Sequence, residues 1–411
     1  MNKDQKQKKI PKMKTRNCIA FLILMLTAGN SAFSQEALFG GPQIVSPEIR
    51  NDHSVLLRLK APKADSVFVT GDILPPARIQ TPMGEMDIPG KELMTKGEDG
   101  IWTYDTGVLD SELYNYFYLV DGVKTIDPGN PFLIRDVASI TNIFILDGEK
   151  GDLYKVNDVP HGTVSRRWYD SPGLGMDRRL TIYTPPGYES SGEKYPVLYL
   201  LHGAGGDEEA WIALGRTAQI LDNLIAKKKA KPMIVVMPNG NVSQDAAPGE
   251  GKDGFYTPQF MAPRTMNGMF EANFMDIVKF VEDKYRVRAD KEHRAIAGLS
   301  MGGFHSLHIS RYFPNTFDYV GLFSAAIMPR DDATGKVYSN FDETLKAQGE
   351  NGYKLYWIGM GKTDFLYGAN QEYRKKLDEM GMRYSYMESE GGHTWRNWRV
   401  YLTQFVPQLF Q

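Results

Sequence analysis

The chain has 411 residues, of which 42% are hydrophobic, 24% charged and 12% aromatic, and its formal net charge is −2. This length is enough for two or three domains with sizeable cores, and the apolar and charged fractions are ordinary for a globular protein. The near-zero net charge gives no sign of a nucleic-acid or anionic-membrane partner, so we expect neither.

The first 34 residues have the pattern of a bacterial signal peptide. A basic lead precedes a short apolar run, Ile19 to Leu26, and Ala32-Phe33-Ser34 offers small residues where a signal peptidase reads the chain. An uncleaved anchor is the alternative, although the run is short for a membrane span. We therefore expect residues 1–34 to be removed, leaving no stable span, and the mature protein to be secreted or periplasmic in the cell envelope. Cys18 is the only cysteine, so the mature chain would carry no disulfide and no Cys-based site.

Residues 35–148 are predicted to form a small all-β sandwich of the immunoglobulin-like kind. Apolar residues alternate with polar ones from Gly100 to Thr106 and from Leu113 to Val120, where the pair Asp121-Gly122 predicts a tight turn. Several such short runs with frequent turn residues between them are typical of a β-sandwich.

Residues 149–411 are predicted to form an α/β domain with a mostly parallel central sheet. Short apolar runs such as Pro196 to Leu201 and Met233 to Met237 read as buried parallel strands. From Phe270 to Tyr285 apolar residues recur three and four positions apart, which predicts a helix between two of these strands. Strands that alternate with helices predict a sheet covered on both faces. Residues 240–268 read as a long loop, which is often functional.

The segment Gly298-Leu299-Ser300-Met301-Gly302 has the form G-x-S-x-G, the nucleophile elbow of α/β-hydrolases. A short apolar strand, Arg294 to Ala297, precedes it, and a helical segment follows it. We therefore expect Ser300 to be the nucleophile; a helix N-cap serine is the alternative.

A serine nucleophile needs a base and a carboxylate that orients the base. His393 is the only histidine after His308, and it lies in a Gly-rich loop directly after a predicted strand. Asp364 follows the strand that ends near Met360, at the sheet edge where the active sites of such sheets lie. We therefore expect His393 to be the base and Asp364 the orienting residue, with Glu388 and Glu390 as rivals to Asp364.

Two backbone N–H groups are needed to stabilise the oxyanion. One is expected from Met301, which follows the nucleophile. The other is expected from Ala204, in the Gly-rich loop Leu201 to Gly206 that follows an early strand. We expect the side chain of His202 to support this loop.

Together these motifs resemble the esterase D-like branch of the α/β-hydrolases, and within it the family-1 carbohydrate esterases, over residues 160–411. The resemblance also rests on Tyr183-Thr184-Pro185-Pro186-Gly187-Tyr188 and Gly392-His393-Thr394-Trp395. It implies the same catalytic set: Ser300, His393 and Asp364, with Ala204 and Met301 as oxyanion donors.

The N-terminal residues resemble the early-set modules, akin to family-48 carbohydrate-binding modules, that often precede such esterases. The resemblance rests on Val67 to Asp72, Asp99 to Trp102 and Tyr116 to Pro131. Trp102 falls in an alternating strand, which predicts a core residue rather than a platform for a sugar ring.

The expected reaction is hydrolysis of an ester by an acyl-enzyme mechanism, with no metal site and no metal or organic cofactor. The expected partner is a plant polysaccharide or oligosaccharide that carries feruloyl groups, and aromatic side chains are expected to bind these groups: Trp211, Phe255, Tyr256, Phe260 and Trp395.

Three alternatives stay open. The enzyme is an acetyl xylan esterase, or it is a siderophore trilactone esterase, or the chain is a carbohydrate-binding protein without activity. A siderophore trilactone esterase would need cationic side chains for its anionic ligand, and four arginines are candidates: Arg216, Arg264, Arg396 and Arg399.

Overall fold

Residues 44–81, 84–329, 333 and 335–411 are described by a computed structural model. The predicted signal peptide, residues 1–34, lies outside these ranges. Within them, Val45–Gln411 form one compact unit. Among the helices of the described ranges, none has the length and apolar character that crossing a membrane requires.

Short strands build the part of the chain between residues 48 and 145. Those described are β1 (Glu48–Ile49), β2 (Ser54–Lys60), β3 (Val67–Gly71), β4 (Ala77–Thr81), β5 (Gly84–Ile88), β6 (Gly90–Leu93), β7 (Thr95–Lys96), β8 (Ile101–Val108), β9 (Leu113–Val120), β10 (Val123–Thr125), β11 (Leu133–Asp136) and β12 (Ser139–Ile145). One sheet has the order β1-β2-β8-β7, and a second has the order β11-β12-β9-β3-β6, with β10 also paired to β9. Strands β4 and β5 pair as a separate hairpin.

The two larger sheets bury alternate side chains against each other. Val55 and Leu57 of β2 lie in the same apolar core as Tyr116 of β9, and all three are fully buried. Trp102 belongs to this core, where its indole N–H donates to the carbonyl of Ala61 at 2.9 Å. This arrangement confirms the predicted all-β sandwich, and it confirms Trp102 as a core residue.

An eight-stranded sheet dominates the rest of the chain. Its strands are β13 (Thr163–Ser171), β14 (Met176–Thr184), β15 (Val197–Leu201), β16 (Ile234–Pro238), β17 (Arg294–Leu299), β18 (Tyr319–Phe323), β19 (Leu355–Gly361) and β20 (Ser385–Ser389), in the order β13-β14-β16-β15-β17-β18-β19-β20. The six strands from β15 to β20 run parallel, whereas β13 and β14 are antiparallel to their neighbours. The sheet is therefore mostly parallel, as predicted.

Helices cover both faces of this sheet. Those described are α1 (Gly151–Tyr154), α2 (Ala210–Ala213), α3 (Thr217–Ala226), α4 (Met269–Ala272), α5 (Phe274–Lys284), α6 (Met301–Tyr312), α7 (Phe341–Asn351), α8 (Tyr367–Glu379) and α9 (Trp395–Phe405), with three short 3₁₀ turns at Lys291–His293, Lys336–Tyr338 and Val406–Gln408. Helices α5 and α8 contribute to the apolar core on one face, and α3 and α9 contribute to the core on the other. The fold is that of an α/β-hydrolase, with an all-β sandwich before it.

Some elements differ from the sequence prediction. The helix expected from Phe270 to Tyr285 is two helices, α4 and α5, interrupted at Asn273, whose side-chain amide donates to the carbonyl of Met269 at 2.8 Å. Strands β13 and β18 and the hairpin β4–β5 were not predicted. Apolar or small residues alternate with polar ones in both strands of the hairpin, but each strand has only five residues and β4 is mostly exposed.

The sandwich and the α/β region share a buried ion pair. The guanidinium of Arg399, in α9, donates at 3.0 Å to Glu112, just before β9, and both side chains are 2% exposed. The same guanidinium donates to the carbonyls of Leu113 and Leu214. The predicted domain boundary at residues 148 and 149 remains a prediction, since Val45–Gln411 form a single compact unit.

Candidate functional site

Ser300 occupies a sharp bend between β17 and α6. Its φ of 53° and ψ of −115° lie in a region that side-chain-bearing residues rarely adopt. The bend is held by backbone bonds: the N–H of Ser300 donates to the carbonyl of Phe323 at 2.9 Å, and its carbonyl accepts from Phe304 and Ala326. The predicted elbow therefore has its strand, its helix and its strained serine.

The two glycines of the motif are required by close backbone contacts. A β-carbon on Gly298 would lie 2.4 Å from the carbonyl carbon of Gly302. A β-carbon on Gly302 would lie 2.2 Å from the carbonyl oxygen of Leu201, at the end of β15. Because real β-carbons do not approach this closely, only glycine fits on either side of Ser300.

His393 and Asp364 form a hydrogen-bonded pair on two adjacent loops. Nδ1 of His393 lies 2.9 Å from Oδ2 and 3.1 Å from Oδ1 of Asp364, whose carboxylate is fully buried. The N–H of Leu366 donates to Oδ1 at 2.9 Å, which fixes the carboxylate further. The rivals Glu388 and Glu390 are bonded elsewhere, Glu388 to Tyr367 and Tyr386 and Glu390 to Lys362.

Two aromatic rings hold the imidazole of His393 in place. The ring of Phe365 lies 4.6 Å from it, centroid to centroid, and the ring of Trp398 packs against it edge-on at 4.9 Å. With Nδ1 donating to Asp364, Nε2 of the neutral ring is the nitrogen left to accept a proton.

The loop after β15 carries the predicted oxyanion donor Ala204. A β-carbon on Gly203 would lie 3.3 Å from the β-carbon of Ser300, so this loop runs directly beside the elbow. His202 fastens the loop from behind: its Nδ1 bonds to the carbonyl of Gly203 at 2.8 Å, and its Nε2 accepts from the N–H of Gly240 at 2.7 Å. Burial lowers the pKa of His202 to about 4, so the ring is neutral and can accept from Gly240.

A cavity of about 240 Å³ brings these groups together. Ser300, His393 and Ala204 all line it, whereas Met301 begins α6 and has a side chain that is buried. The other lining residues are Met86, Asp87, Asp136, Val137, Gly203, Gly206, Phe260, Leu299, Thr363, Phe365, Trp395 and Trp398.

The lining of this cavity is aromatic and acidic. Four aromatic rings border it, and its charged side chains are the carboxylates of Asp87 and Asp136; among the described residues that line it there is no Lys or Arg. Burial raises the pKa of Asp136. A hydrogen bond from Trp395 and the charge of Arg135 lower this pKa by less than burial raises it.

The predicted substrate-binding aromatics separate into two groups. Trp395 lines the cavity, as does Phe260. Trp211 is 1% exposed, donates its indole N–H to the carbonyl of Leu201 at 2.9 Å and packs in the core, so it is a packing residue. Phe255, which is 97% exposed, and Tyr256, whose hydroxyl donates to the carbonyl of Ala246, do not line the cavity.

The four candidate arginines also lie outside the cavity lining. Arg216 donates to the carbonyl of Tyr154, and Arg396 donates to the carbonyl of Asp72. Arg399 is paired with Glu112, and Arg264 is exposed. Among the described residues, no cluster of cations faces Ser300.

Sequence reasoning missed the contribution of the sandwich to this cavity. Met86 and Asp87 come from β5, and Asp136 and Val137 come from the end of β11 and the turn after it. No local pattern marks these four residues. Phe365 and Trp398, in contrast, neighbour Asp364 and His393 in the sequence, so their proximity to the predicted pair was a usable signal.

The chain is similar to known esterases. The model of the esterase family, described as "Putative esterase", matches residues 171–409. An endo-1,4-beta-xylanase/feruloyl esterase from Xylanibacter ruminicola is 29% identical over 374 residues, which are 89% of this chain and 46% of that protein. An acetyl esterase from Caldicellulosiruptor saccharolyticus is 24% identical over 237 residues, 51% of this chain and 81% of that protein. This chain spans about half the length of the xylanase/feruloyl esterase.

Two solved structures are also similar. A CE1 ferulic acid esterase from Anaeromyces mucronatus, in complex with ferulic acid, is 26% identical, has a TM-score of 0.52 and covers 62% of this chain and 93% of its own. The enterobactin esterase of Shigella flexneri has a TM-score of 0.61 and covers 92% of this chain and 99% of its own. At 17% identity, the second likeness shows the fold alone. Because the family model spans more than half of the chain, this chain belongs to the esterase family.

Proposed function

We propose that the chain is a secreted serine carboxylic-ester hydrolase in which Ser300 is the nucleophile, His393 the general base and Asp364 the residue that orients His393. One observation carries the proposal. The imidazole of His393 is bonded through Nδ1 to a buried carboxylate, 2.9 Å away, and lines the same cavity as the strained Ser300. A base fixed by a carboxylate beside a strained serine is the arrangement that acyl transfer needs.

The reaction follows from these positions. Nε2 of His393 takes the hydroxyl proton of Ser300 as Oγ attacks the ester carbonyl, and Asp364 stabilises the imidazolium that forms. The tetrahedral intermediate collapses, and the alcohol leaves with the proton from His393. Water, deprotonated by His393, then attacks the acyl-enzyme, and the acid leaves as Ser300 regains its proton.

The negative charge on the intermediate needs fixed donors. The backbone N–H groups of Met301 and Ala204 are the proposed pair. The start of α6 at Met301 supports this role, because a helix N-terminus carries partial positive charge. The hydrogen bonds of His202 to Gly203 and Gly240 support it too, since they keep the Ala204 loop rigid.

The proposed substrate is a hydroxycinnamoyl ester, such as a feruloyl group, on a plant polysaccharide or oligosaccharide. The cavity is much larger than an acetyl group, and its aromatic rings, Phe260, Phe365, Trp395 and Trp398, offer planar surfaces to an aromatic acyl chain. The similarity to the Xylanibacter ruminicola xylanase/feruloyl esterase supports the same choice.

An acetyl ester on xylan is the second candidate, supported by the similarity to an acetyl esterase. A siderophore trilactone is disfavoured, because the charged groups of the cavity, Asp87 and Asp136, would repel an anionic catecholate. A binding protein without activity is disfavoured by the intact pair of His393 and Asp364.

The test is a comparison of kcat/KM for methyl ferulate, acetylated xylan and a siderophore trilactone, with the Ser300→Ala variant as the control for contaminating esterases. The proposal expects methyl ferulate to be the best of the three by at least about tenfold, which is 1.4 kcal/mol of transition-state binding. A preference for acetylated xylan would select the second candidate. Equal rates for wild type and Ser300→Ala would contradict the serine mechanism.

A further inference from the structure

The all-β sandwich forms one wall of the catalytic cavity. Met86 and Asp87 of hairpin β4–β5 line it together with residues of the α/β elements, and so do Asp136 and Val137. The fit is close at Val137, because a β-carbon on Gly205 of the oxyanion loop would lie 2.7 Å from its Cγ2. The sandwich therefore contacts the catalytic loops directly.

Asp87 contacts both loops that carry the His393–Asp364 pair. Its Oδ2 accepts a hydrogen bond from the hydroxyl of Thr363 at 2.6 Å, and Thr363 immediately precedes Asp364. A β-carbon on Gly392, the residue before His393, would lie 3.2 Å from the same oxygen. One carboxylate oxygen thus lies between the residues that immediately precede the base and its orienting carboxylate.

Asp87 is itself held in a fixed orientation. Its side chain is only 12% exposed, and its other oxygen, Oδ1, accepts from Nε of Arg78 across the hairpin at 3.2 Å. The bond to Thr363 is short and involves an ionised acceptor, which makes it stronger than a bond between neutral groups. Because Asp87 is held in place by Arg78, its bond to Thr363 constrains the position of the Thr363 loop.

We propose that Asp87 is a positioning residue for catalysis: from the sandwich, it sets the relative placement of the Asp364 and His393 loops through its hydrogen bond to Thr363. The inference rests on the proposed function, because it assigns Asp87 an effect on that catalytic pair. It makes the sandwich part of the catalytic machinery.

Other hydrogen bonds would still hold the two catalytic loops if the bond from Asp87 to Thr363 were lost. The two loops are already joined on the α/β side by the N–H of Thr363, which donates to the carbonyl of Gly391 at 3.1 Å. The His393 loop is also bonded to α9, where the amide of Asn397 donates to the carbonyl of Gly392 at 2.9 Å. Loss of Asp87 would leave these bonds in place. The loops would stay folded but lose the constraint on the Thr363 side, and small displacements of catalytic groups are costly to kcat.

The experiment compares four single variants and one double variant on p-nitrophenyl acetate and methyl ferulate, with kcat and KM measured separately. Asp87→Ala and Thr363→Val each remove the bond, and we expect each to lower kcat about tenfold on both substrates with KM changed less than about twofold. Asp87→Asn keeps a hydrogen-bond acceptor, and Thr363→Ser keeps the hydroxyl donor. We expect each variant to retain at least about a third of the wild-type kcat. The double variant Asp87→Ala/Thr363→Val should be no slower than either single variant, because both remove one interaction.

The matched control is Gln80→Ala, at an exposed position of the same hairpin and outside the cavity lining, which should leave kcat and KM unchanged. If Asp87→Ala lowers the thermal midpoint too far for assay, Thr363→Val tests the same bond from the α/β side. Additive losses in the double variant would overturn the proposal. So would a KM effect confined to methyl ferulate, which would make Asp87 a substrate contact. Full activity of Asp87→Ala beside an inactive Ser300→Ala would refute the positioning role alone, whereas activity in Ser300→Ala would refute the proposed function.

Discussion

Nδ1 of His393 lies 2.9 Å from Oδ2 of Asp364, and the carboxylate that it bonds is fully buried. The bond fixes which nitrogen of the imidazole carries the proton. It leaves Nε2 as the free nitrogen on a ring that borders the same cavity as Ser300.

Replacing either member of this pair should nearly abolish turnover. We expect His393→Ala and Asp364→Asn each to lower kcat about 10⁴-fold, because the first removes the base and the second favours the wrong tautomer. The measurement is kcat on p-nitrophenyl acetate with the folded state checked by circular dichroism. Glu388→Gln and Glu390→Gln are the matched controls, and a loss in either comparable to that of Asp364→Asn would move the orienting role to that residue.

The glycines beside Ser300 should not tolerate a methyl group. A β-carbon at Gly302 would lie 2.2 Å from the carbonyl oxygen of Leu201, so we expect Gly302→Ala to destabilise the fold by about 3 kcal/mol or more, or to yield no soluble protein. Gly192→Ala is the control, since nothing lies within 4 Å of a β-carbon there. Unfolding in urea checks both variants; a Gly302→Ala protein as stable as the control would refute the close packing of the elbow.

The aromatic residues should divide by function as they divide in space. Trp395→Ala should raise KM for methyl ferulate roughly three- to tenfold, because one ring of the cavity is lost. Phe255→Ala should leave kcat and KM within about twofold of wild type, because its ring is 97% exposed and outside the lining. The measurement is steady-state kinetics of both variants. The thermal midpoint of Trp395→Ala is measured as well, because the ring centroid of Trp395 lies 5.3 Å from that of Trp211 and its loss can lower stability. An effect of Phe255→Ala larger than that of Trp395→Ala would contradict the cavity assignment.

His308 should make stability depend on pH. Burial, and next the charge of Arg311, lower its pKa to about 3, so the folded protein holds the ring neutral. An unfolded histidine titrates near 6.5, so the unfolded chain binds the extra proton first. The stabilisation is complete above pH 6.5 and is lost as the pH falls toward 3. Between pH 7 and pH 5 the loss from this one group is at most about 2 kcal/mol.

The control is His308→Gln, whose amide can donate to the carbonyl of Ile327 and accept from Arg311, as the two ring nitrogens do. Thermal unfolding at pH 7 and pH 5 should show a larger acid-induced decrease in midpoint for wild type than for His308→Gln. Equal decreases would mean that the pKa of His308 is the same in the folded and the unfolded protein.

The sequence predicted those parts of the site whose chemistry depends on local pattern. The elbow at Ser300 needs two glycines at fixed spacing, and His393 and Asp364 each follow a strand of the parallel sheet, so their order along the chain and the fold together brought them to one edge. Trp211 also lies near a catalytic loop in sequence, but its side chain points into the core, and sequence proximity alone does not give that direction.

The contribution of the sandwich was beyond prediction for a different reason. Asp87 lies 276 positions before its partner Thr363, and the contact depends on how two separately predicted regions pack. A single sequence carries no local signal for such a contact. Several strands of each region were predicted from their apolar patterns, whereas the cavity wall that the two regions share was not.

The most direct test of the central claim is covalent labelling of the nucleophile. The protein is treated with a fluorophosphonate, which phosphonylates an activated serine, and the modified peptide is identified by mass spectrometry. We expect one equivalent of label on Ser300, with esterase activity lost in proportion to the labelling. The Ser300→Ala variant should not be labelled, and His393→Ala should be labelled more slowly than wild type. A label on another serine with activity lost, or full activity in a protein whose Ser300 is fully labelled, would contradict the account.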